Sequence, residues 1–279
     1  MSQIKERVAS LRDAMLAAGV SACIIPGTDP HASEYIAEHW KERVWISGFT
    51  GSAGTAVVGL EKAGVWTDSR YFLQGAEQLE GSGFDLMKMG LPETPDIVSW
   101  IGTELKAGER VGVNAQMFSV NGYAAMKAEL KIYGIELVSI DLPAQAWKER
   151  PALPVDPFFV FDTKYTGRTT TEKLTLVRAE LKKARANTFI MSALDDIAWL
   201  FNIRGKDVDY NPVVISFALV EEQKATLFVA PEKLTDATSA YLSSQGVEVA
   251  PYSAVYNALS ALDSSKAVLV DGAKLNQSL

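Results

Sequence analysis

The stretch that decides the fold, Arg43–Leu73, reads RVWISGFTGSAGTAVVGLEKAGVWTDSRYFL. It opens with an apolar run and continues into a turn in which every third residue is glycine, namely Gly48, Gly51 and Gly54. Two strand-like runs follow, Thr55–Leu60 and Val65–Thr67, and the short glycine-containing loop between them predicts a β-hairpin. Glycine lets two backbones approach closely, so the turn either bends a structural sheet or meets another surface.

The composition is that of a soluble globular protein. The 279 residues are 48% hydrophobic and 22% charged, which suggests about two domains with ample core. Their 27 basic and 34 acidic residues give a net charge of −7, which argues against a nucleic-acid or acidic-membrane partner. No apolar run reaches the roughly 18 residues of a membrane helix, and no signal-peptide core is present. We therefore expect a cytoplasmic protein that is not membrane-bound, with its single cysteine, Cys23, buried.

Helical and strand-like patterns alternate along the chain, which predicts an α/β fold. The segment Leu142–Gly167 interrupts this alternation with four prolines and no sustained periodicity. We predict a first domain at residues 1–142, a proline-rich linker at 143–168 and a second domain at 169–279. Thr169 and Glu172 have the spacing of a capping box at the start of the second domain. Phe158–Phe161 is too apolar for a free linker and is expected to pack on one of the domains.

The second half repeats the first. Ala22–Ile25 matches Thr188–Met191, other short matches follow at nearly the same offset, and the order of elements is the same in both halves. The helix and strand of Ser119–Ile140 have no counterpart after Asp271. We therefore expect a second domain that is truncated at its C-terminus, in a chain that is part of a longer protein.

The chain offers few groups for catalysis. Its two histidines, His31 and His39, lack the i, i+4 spacing of a helical zinc pair. His31 follows Asp29 and precedes Glu34, so this loop either binds a metal or uses the histidine to order a turn. The glycine turn lacks the lysine of a phosphate-binding loop and leads into a strand, and no serine lies in a nucleophile-elbow context.

Asp68 and Arg70 lie where a strand ends and a helix begins, which is the usual position of functional groups in α/β sheets. The simpler interpretation is a helix cap and a surface ion pair. The adjacent pair Asp195 and Asp196 is better explained as N-terminal helix capping than as a catalytic dyad.

Five segments together resemble the two N-terminal domains of the long, three-domain Xaa-Pro aminopeptidases (aminopeptidase P). They are DPHASEYI (29–36), WISGFTGSAGTAVV (45–58), WTDSRYFLQ (66–74), ALDDIAWLFNIRG (193–205) and YNPVVISFAL (210–219). The resemblance implies two tandem creatinase N-terminal-like domains, each a mixed β-sheet flanked by helices.

The resemblance also implies that the chemistry is performed elsewhere. In that family a C-terminal domain of pita-bread fold holds two divalent metal ions, usually manganese, and hydrolyses the bond that precedes proline. None of its Asp, His and Glu ligands can be placed here, so we expect no catalytic residue, metal or cofactor in this chain. The implied partners are that missing catalytic domain and short peptides with proline at the second position, with a possible homodimer of the full-length enzyme.

What remains for this chain is control of substrate access. The candidates to face the substrate are Arg70, Asp68, His31, Gly51 and Ser52, and a guanidinium fork at Arg70 suits a peptide carbonyl or carboxylate. Two alternatives stay open: a stand-alone peptide-binding or regulatory module, and an independent small-molecule enzyme that uses the His31 loop.

Overall fold

The computed structural model describes residues 2–279, with the backbone alone at Ser2. The chain divides into two compact units. The first unit comprises the chain up to Asp29 together with Glu38–Ala152, and the second comprises Pro30–Ala37 and Leu153–Leu279. The short segment Pro30–Ala37 therefore packs with the second unit, although the first unit surrounds it in sequence.

The first unit is a mixed sheet flanked by helices. Within its described residues the helices are α1 (Ser2–Ala18), α2 (Glu42–Ser47), α3 (Phe72–Leu79), α4 (Ile97–Glu104), α5 (Val120–Ile132) and α6 (Leu142–Ala146). The strands are β1 (Ala22–Pro26), β2 (Thr55–Gly59), β3 (Ala63–Thr67), β4 (Asp85–Lys88), β5 (Arg110–Val113) and β6 (Glu136–Ser139). They are ordered β4-β3-β2-β1-β5-β6. The pairs β1–β2 and β2–β3 are antiparallel and the other three are parallel, so the predicted hairpin is confirmed.

Strand β1 shows why this sheet needs helices on both faces. Cys23 and Ile25 belong to one apolar cluster, with residues of α1 and α2. Ala22 and Ile24 belong to another, with residues of α4 and α5. Side chains alternate between the faces of a strand, and a strand covered on both sides reads as a continuous apolar run. Cys23 is fully buried, as predicted.

The second unit has the same plan. Its described helices are α7 (Thr163–Thr166), α8 (Thr170–Lys183), α9 (Leu194–Phe201), α10 (Asp236–Ser244) and α11 (Ala254–Ser260). Its strands are β7 (Phe159–Val160), β8 (Thr188–Met191), β9 (Ile203–Arg204), β10 (Ser216–Glu221), β11 (Ala225–Val229), β12 (Val247–Ala250) and β13 (Val268–Leu269). The main sheet is ordered β12-β11-β10-β8-β13, and β7 pairs with β9. The predicted capping box at Thr169 and Glu172 is confirmed.

The two main sheets confirm the internal repeat. Strands β8, β10, β11, β12 and β13 take the places of β1, β2, β3, β4 and β5. The antiparallel and parallel pairings agree throughout. Strand β6 has no counterpart in the second sheet as far as residues 153–279 describe it.

The segment predicted as a linker at 143–168 is not a separate connector in the structure. Its start lies in α6 of the first unit, and Pro143 stands in the first turn of that helix, where a missing N–H costs nothing. The Asp141 carboxylate caps the helix through the Ala144 N–H at 3.0 Å. Further along, Phe158 is buried in the core of the second unit, as expected for its apolar run.

Arg150 explains why the first part of this segment, up to Ala152, stays with the first unit. Its guanidinium lies 2.7 Å from the buried Glu42 carboxylate, and its Nε donates to the His39 carbonyl at 2.8 Å. The same group lies 5.1 Å from the centre of the Trp40 ring. Burial raises the pKa of Glu42 to about 7, against the opposing effect of Arg150. The proline content of the segment predicts a linker, but it cannot predict these contacts of Arg150, because their partners are distant in sequence.

The sequence Thr28–His39 predicts a polar loop that enters a short helix. The structure instead has a 3₁₀ turn at Glu38–Trp40 followed by α2, because Pro30–Ala37 is occupied in packing on the second unit.

A buried ion pair fixes the connection from β9 to β10 in the second unit. The side chains of Asp207 and Lys233 are 1% and 2% exposed and form a close ion pair. The second Asp207 oxygen accepts the Ile215 N–H at 2.6 Å. Burial raises the pKa of Asp207, and Lys233 opposes that rise. The pair thus ties this loop to the 3₁₀ turn at Pro231–Lys233.

Candidate functional site

The glycine turn of the first unit is shaped by close packing. Helix α2 ends at Gly48, which adopts φ +77° and donates its N–H to the Val44 carbonyl at 2.8 Å. A Cβ at Gly51 would lie 2.4 Å from the Phe49 ring, and one at Gly54 would lie 2.7 Å from the Trp66 carbonyl oxygen. Gly54 also adopts φ +150°. These positions therefore require glycine for space and for backbone conformation.

Arg43 holds the turn from inside. Its side chain is buried, donates to the Gly51 carbonyl and lies 5.0 Å from the centre of the Phe49 ring. Its Nε and Nη1 have no hydrogen-bond partner among residues 2–279. Burial lowers the pKa of Arg43 to about 10. Sequence analysis missed this residue, because an arginine beside an apolar run looks like a helix-surface residue.

Asp68 and Arg70 form a cap and an ion pair at the end of β3. The Asp68 carboxylate accepts the Arg70 backbone N–H at 3.0 Å, which caps the 3₁₀ turn Ser69–Tyr71. It also accepts Nε and Nη2 of the Arg70 side chain at 2.9 and 2.8 Å. The hydrogen bonds from Arg70 lower the pKa of Asp68. The simpler interpretation from the sequence is therefore the observed geometry, with both side chains exposed to solvent.

Tyr71 connects the two parts of the site. Its hydroxyl lies 2.6 Å from the Ser52 Oγ, and its ring meets Phe49 edge-on at 5.9 Å. The Arg70 guanidinium lies 5.2 Å from the centre of the same ring. Gly51, Ser52, Asp68 and Arg70 are thus gathered around one tyrosine. Tyr71 follows Arg70 directly in the sequence, and this position could have identified it as a site residue. The sequence analysis did not name it.

His31 has a different setting. It lies in the second unit, 1% exposed, with its ring 4.5 Å from that of Phe217. Nδ1 donates to the Ser192 carbonyl at 2.8 Å, and in the neutral ring Nε2 accepts from the Tyr252 hydroxyl at 2.9 Å. This agrees with a histidine that orders its loop. That His31 faces the substrate stays a prediction, and it would require this buried ring to become exposed.

The acidic, histidine and cysteine side chains that the structure describes are dispersed. No group of three or more His, Cys, Asp or Glu side chains suited to a metal ion occurs within residues 2–279. Both ring nitrogens of His31 are already engaged in hydrogen bonds, and Nδ1 of His39 lies 2.6 Å from the Pro151 carbonyl oxygen.

None of the helices described for residues 2–279 has the length and apolar character needed to cross a membrane.

Comparison with known families accounts for nearly the whole chain. The creatinase/prolidase N-terminal domain is matched twice, once by residues 7–146 and again by residues 149–279. The chain belongs to the creatinase/prolidase N-terminal domain family. The two matched ranges correspond to the two sheets, so the repeat is a tandem pair of creatinase-type domains.

Individual relatives are longer than this chain. It is 42% identical over 255 residues to the probable Xaa-Pro aminopeptidase P of Sordaria macrospora, covering 90% of this chain and 41% of that protein. It is 39% identical over 266 residues to Xaa-Pro aminopeptidase 1 of Dictyostelium discoideum, covering 92% and 42%. Among solved structures it resembles the X-prolyl aminopeptidase of Caenorhabditis elegans, a cytosolic enzyme with a di-nuclear active site. The TM-score is 0.89 at 33% identity, covering 93% of this chain and 44% of that one. The resemblance predicted from the sequence motifs is confirmed, and the chain spans less than half of each relative.

Proposed function

We propose that this chain is the non-catalytic N-terminal part of an Xaa-Pro aminopeptidase. Its two creatinase-type domains would shape substrate access and support a separate C-terminal catalytic domain. The observation that supports this is about 40% identity, along some nine-tenths of the chain, to longer proteins that bear this name. The whole enzyme would remove an N-terminal residue that precedes proline from short peptides. It would use two divalent metal ions, Mn²⁺ by the family resemblance, held by residues outside this chain.

The cellular setting of the whole enzyme follows the same comparison. We place it in the cytosol, as for the relative from Caenorhabditis elegans, and expect the full-length enzyme to form a homodimer. Both statements belong to the proposal for the longer protein.

Within this chain, the exposed groups around Tyr71 are the proposed substrate-handling residues. Asp68 holds the Arg70 guanidinium in one orientation, and Ser52 presents a hydroxyl from a turn that Arg43 fixes. Groups held in place before binding lose less conformational entropy when a ligand arrives. Arg70 is suited to a peptide carbonyl or carboxylate oxygen. Gly51 contributes space for Phe49 and Tyr71, and no substrate contact is proposed for the buried His31.

In the full-length enzyme, Arg70→Ala should raise KM or lower kcat/KM for Xaa-Pro peptides about tenfold, as expected for loss of one charged hydrogen bond. Metal content should not change, because Arg70 would act on substrate and not on the metal ligands. Steady-state kinetics and metal analysis on the same preparations test both points. Lys127→Ala is the matched control: it removes a positive charge from an exposed position on α5. Kinetics that are the same for both variants and the parent enzyme would remove Arg70 from the site.

A further inference from the structure

A strip of aromatic and basic side chains lies on the surface of the second unit. The aromatic–cation strip consists of Phe161, Lys164, Tyr165, Arg168, Trp199 and Arg204. Phe161 and Tyr165 stack with their ring centres 5.4 Å apart at 22°. The Lys164 ammonium lies 4.7 Å from the centre of the Tyr165 ring, and the Arg204 guanidinium lies 5.0 Å from that of Phe161. Tyr165 is 66% exposed and Trp199 is 45% exposed.

Hydrogen bonds join the two ends of the strip. Arg204 donates to the Ala198 carbonyl at 2.7 Å, beside Trp199. Asn202 accepts the Phe161 N–H at its carbonyl and donates its amide to the Arg168 carbonyl, at 2.7 and 2.9 Å. These bonds therefore bring the segment that carries Phe161 and Arg168 next to the C-terminal end of α9, which carries Trp199.

The cations of the strip are not held in salt bridges, as far as residues 2–279 describe them. Glu172 lies near enough to Arg168 that its pKa is lowered by hydrogen bonds from Thr169 and, in a smaller part, by the charge of Arg168. Of the ion pairs within residues 2–279, none involves Lys164, Arg168 or Arg204. The carboxylates nearest in sequence, Asp162 and Glu172, accept backbone N–H groups as helix caps. Three cations, Lys164, Arg168 and Arg204, therefore stand beside two capping carboxylates, which leaves a local excess of positive charge on a chain whose net charge is −7.

A purely structural role accounts for part of this surface. The buried Lys173 and the half-buried Arg204 donate to the Trp199 and Ala198 carbonyls at the end of α9, where a helix carries about half a negative charge. Burial, together with the nearby Arg204 and Arg168, lowers the pKa of Lys173, and the exposed Lys164 and Arg168 make no hydrogen bond from their side chains to this helix end among the described residues. The structural role also leaves the exposed rings of Tyr165 and Trp199 unexplained. Trp, Tyr and Arg are the residues most enriched at binding hot spots.

We propose that the aromatic–cation strip is a docking surface for an acidic polypeptide segment. Carboxylates of that segment pair with Lys164, Arg168 and Arg204, while its prolyl or aliphatic side chains lie on the rings of Tyr165 and Trp199. The positive side chains favour a ligand that carries carboxylates. The exposed rings favour a ligand that also carries apolar groups between those carboxylates. The proposed docking of an acidic segment does not depend on the proposed peptidase function.

The test uses the full chain and a synthetic peptide of alternating glutamate and proline, about 12 residues long and extended because proline favours polyproline II. Calorimetry should show binding that weakens with salt, since exposed charges are screened. Arg168→Gln should raise Kd about tenfold, as for the loss of one charged hydrogen bond, and Trp199→Ala should also weaken binding. The side chain of Arg168 is exposed, so its variant is expected to fold. Lys182→Gln is the control, with the same change of charge at an exposed position on α8.

Three results would overturn the proposal. One is the absence of binding. Another is binding that does not depend on carboxylate pairing, seen either as equal binding of a control peptide of alternating glutamine and proline or as an unchanged Kd in Arg168→Gln. The third is displacement of the peptide by inorganic phosphate at equal concentration, which would make the surface a small-anion site.

Discussion

Lys233→Met is expected to lower the free energy of unfolding of the second unit by about 3–5 kcal/mol, because it leaves the buried Asp207 without its counter-ion. The loss should be larger at alkaline than at acidic pH. Burial already raises the pKa of Asp207 and Lys233 opposes the rise, so without Lys233 the pKa rises further. The folded state then holds a proton that the unfolded state has released, and stability falls as pH increases through that window. Urea unfolding measures the change in the free energy of unfolding, and hydrogen exchange of the β10 and β11 amides assigns that change to the second unit.

Lys183→Met is the control for this experiment. It removes a lysine of the same unit whose ion pair with Glu180 is exposed, and such pairs contribute about 0–1 kcal/mol. The double variant Asp207→Leu/Lys233→Met should recover much of the loss, since no uncompensated charge remains. Equal stability of the Lys233 and Lys183 variants would show that the buried pair does not hold the β9–β10 connection.

Gly54→Ala is expected to destabilise the first unit by about 2–4 kcal/mol, from backbone strain together with overpacking. The added methyl group would lie 2.7 Å from the Trp66 carbonyl oxygen, at a φ of +150° that L-residues rarely adopt. Because the obstacle is backbone, a rotamer change cannot relieve it. Chemical unfolding monitored by tryptophan fluorescence reports the change, since Trp66 lies in β3 and is buried.

Gly83→Ala separates the steric cost from the conformational cost. Gly83 also has a positive φ, +92°, but a Cβ there would meet nothing within 4 Å. Its variant should lose only about 1–2 kcal/mol, the cost of a left-handed backbone. If the two alanine variants were equally stable, the close packing around the glycine turn would not be a stability determinant.

Local signals made much of the fold predictable. The β2–β3 hairpin followed from two β-type runs and a glycine loop, and the capping box at Thr169 followed from residue spacing alone. The internal repeat gave the strand order of the second sheet once the first was known. For the site, the position of Asp68 between a strand and a helix correctly indicated a cap.

Long-range contacts explain what could not be predicted. Pro30–Ala37 lies between two elements of the first unit in sequence, yet His31 packs against Phe217 and bonds Ser192 and Tyr252. The sequence analysis placed the residues of α6 at the start of a linker, because Pro143 normally breaks a helix. Proline is tolerated in the first turn, but the sequence alone did not show that a helix begins at Leu142. Arg43 turns inward because the glycine turn wraps around it, and no local pattern encodes that.

The central claim is that these two domains handle substrate for a catalytic centre that other residues supply. The most direct measurement incubates the purified chain with Xaa-Pro peptides and Mn²⁺, beside the full-length enzyme as a positive control. We expect cleavage by the full-length enzyme and none by this chain above the metal-only blank. Hydrolysis of the Xaa-Pro bond by this chain alone, abolished by a chelator, would contradict the account.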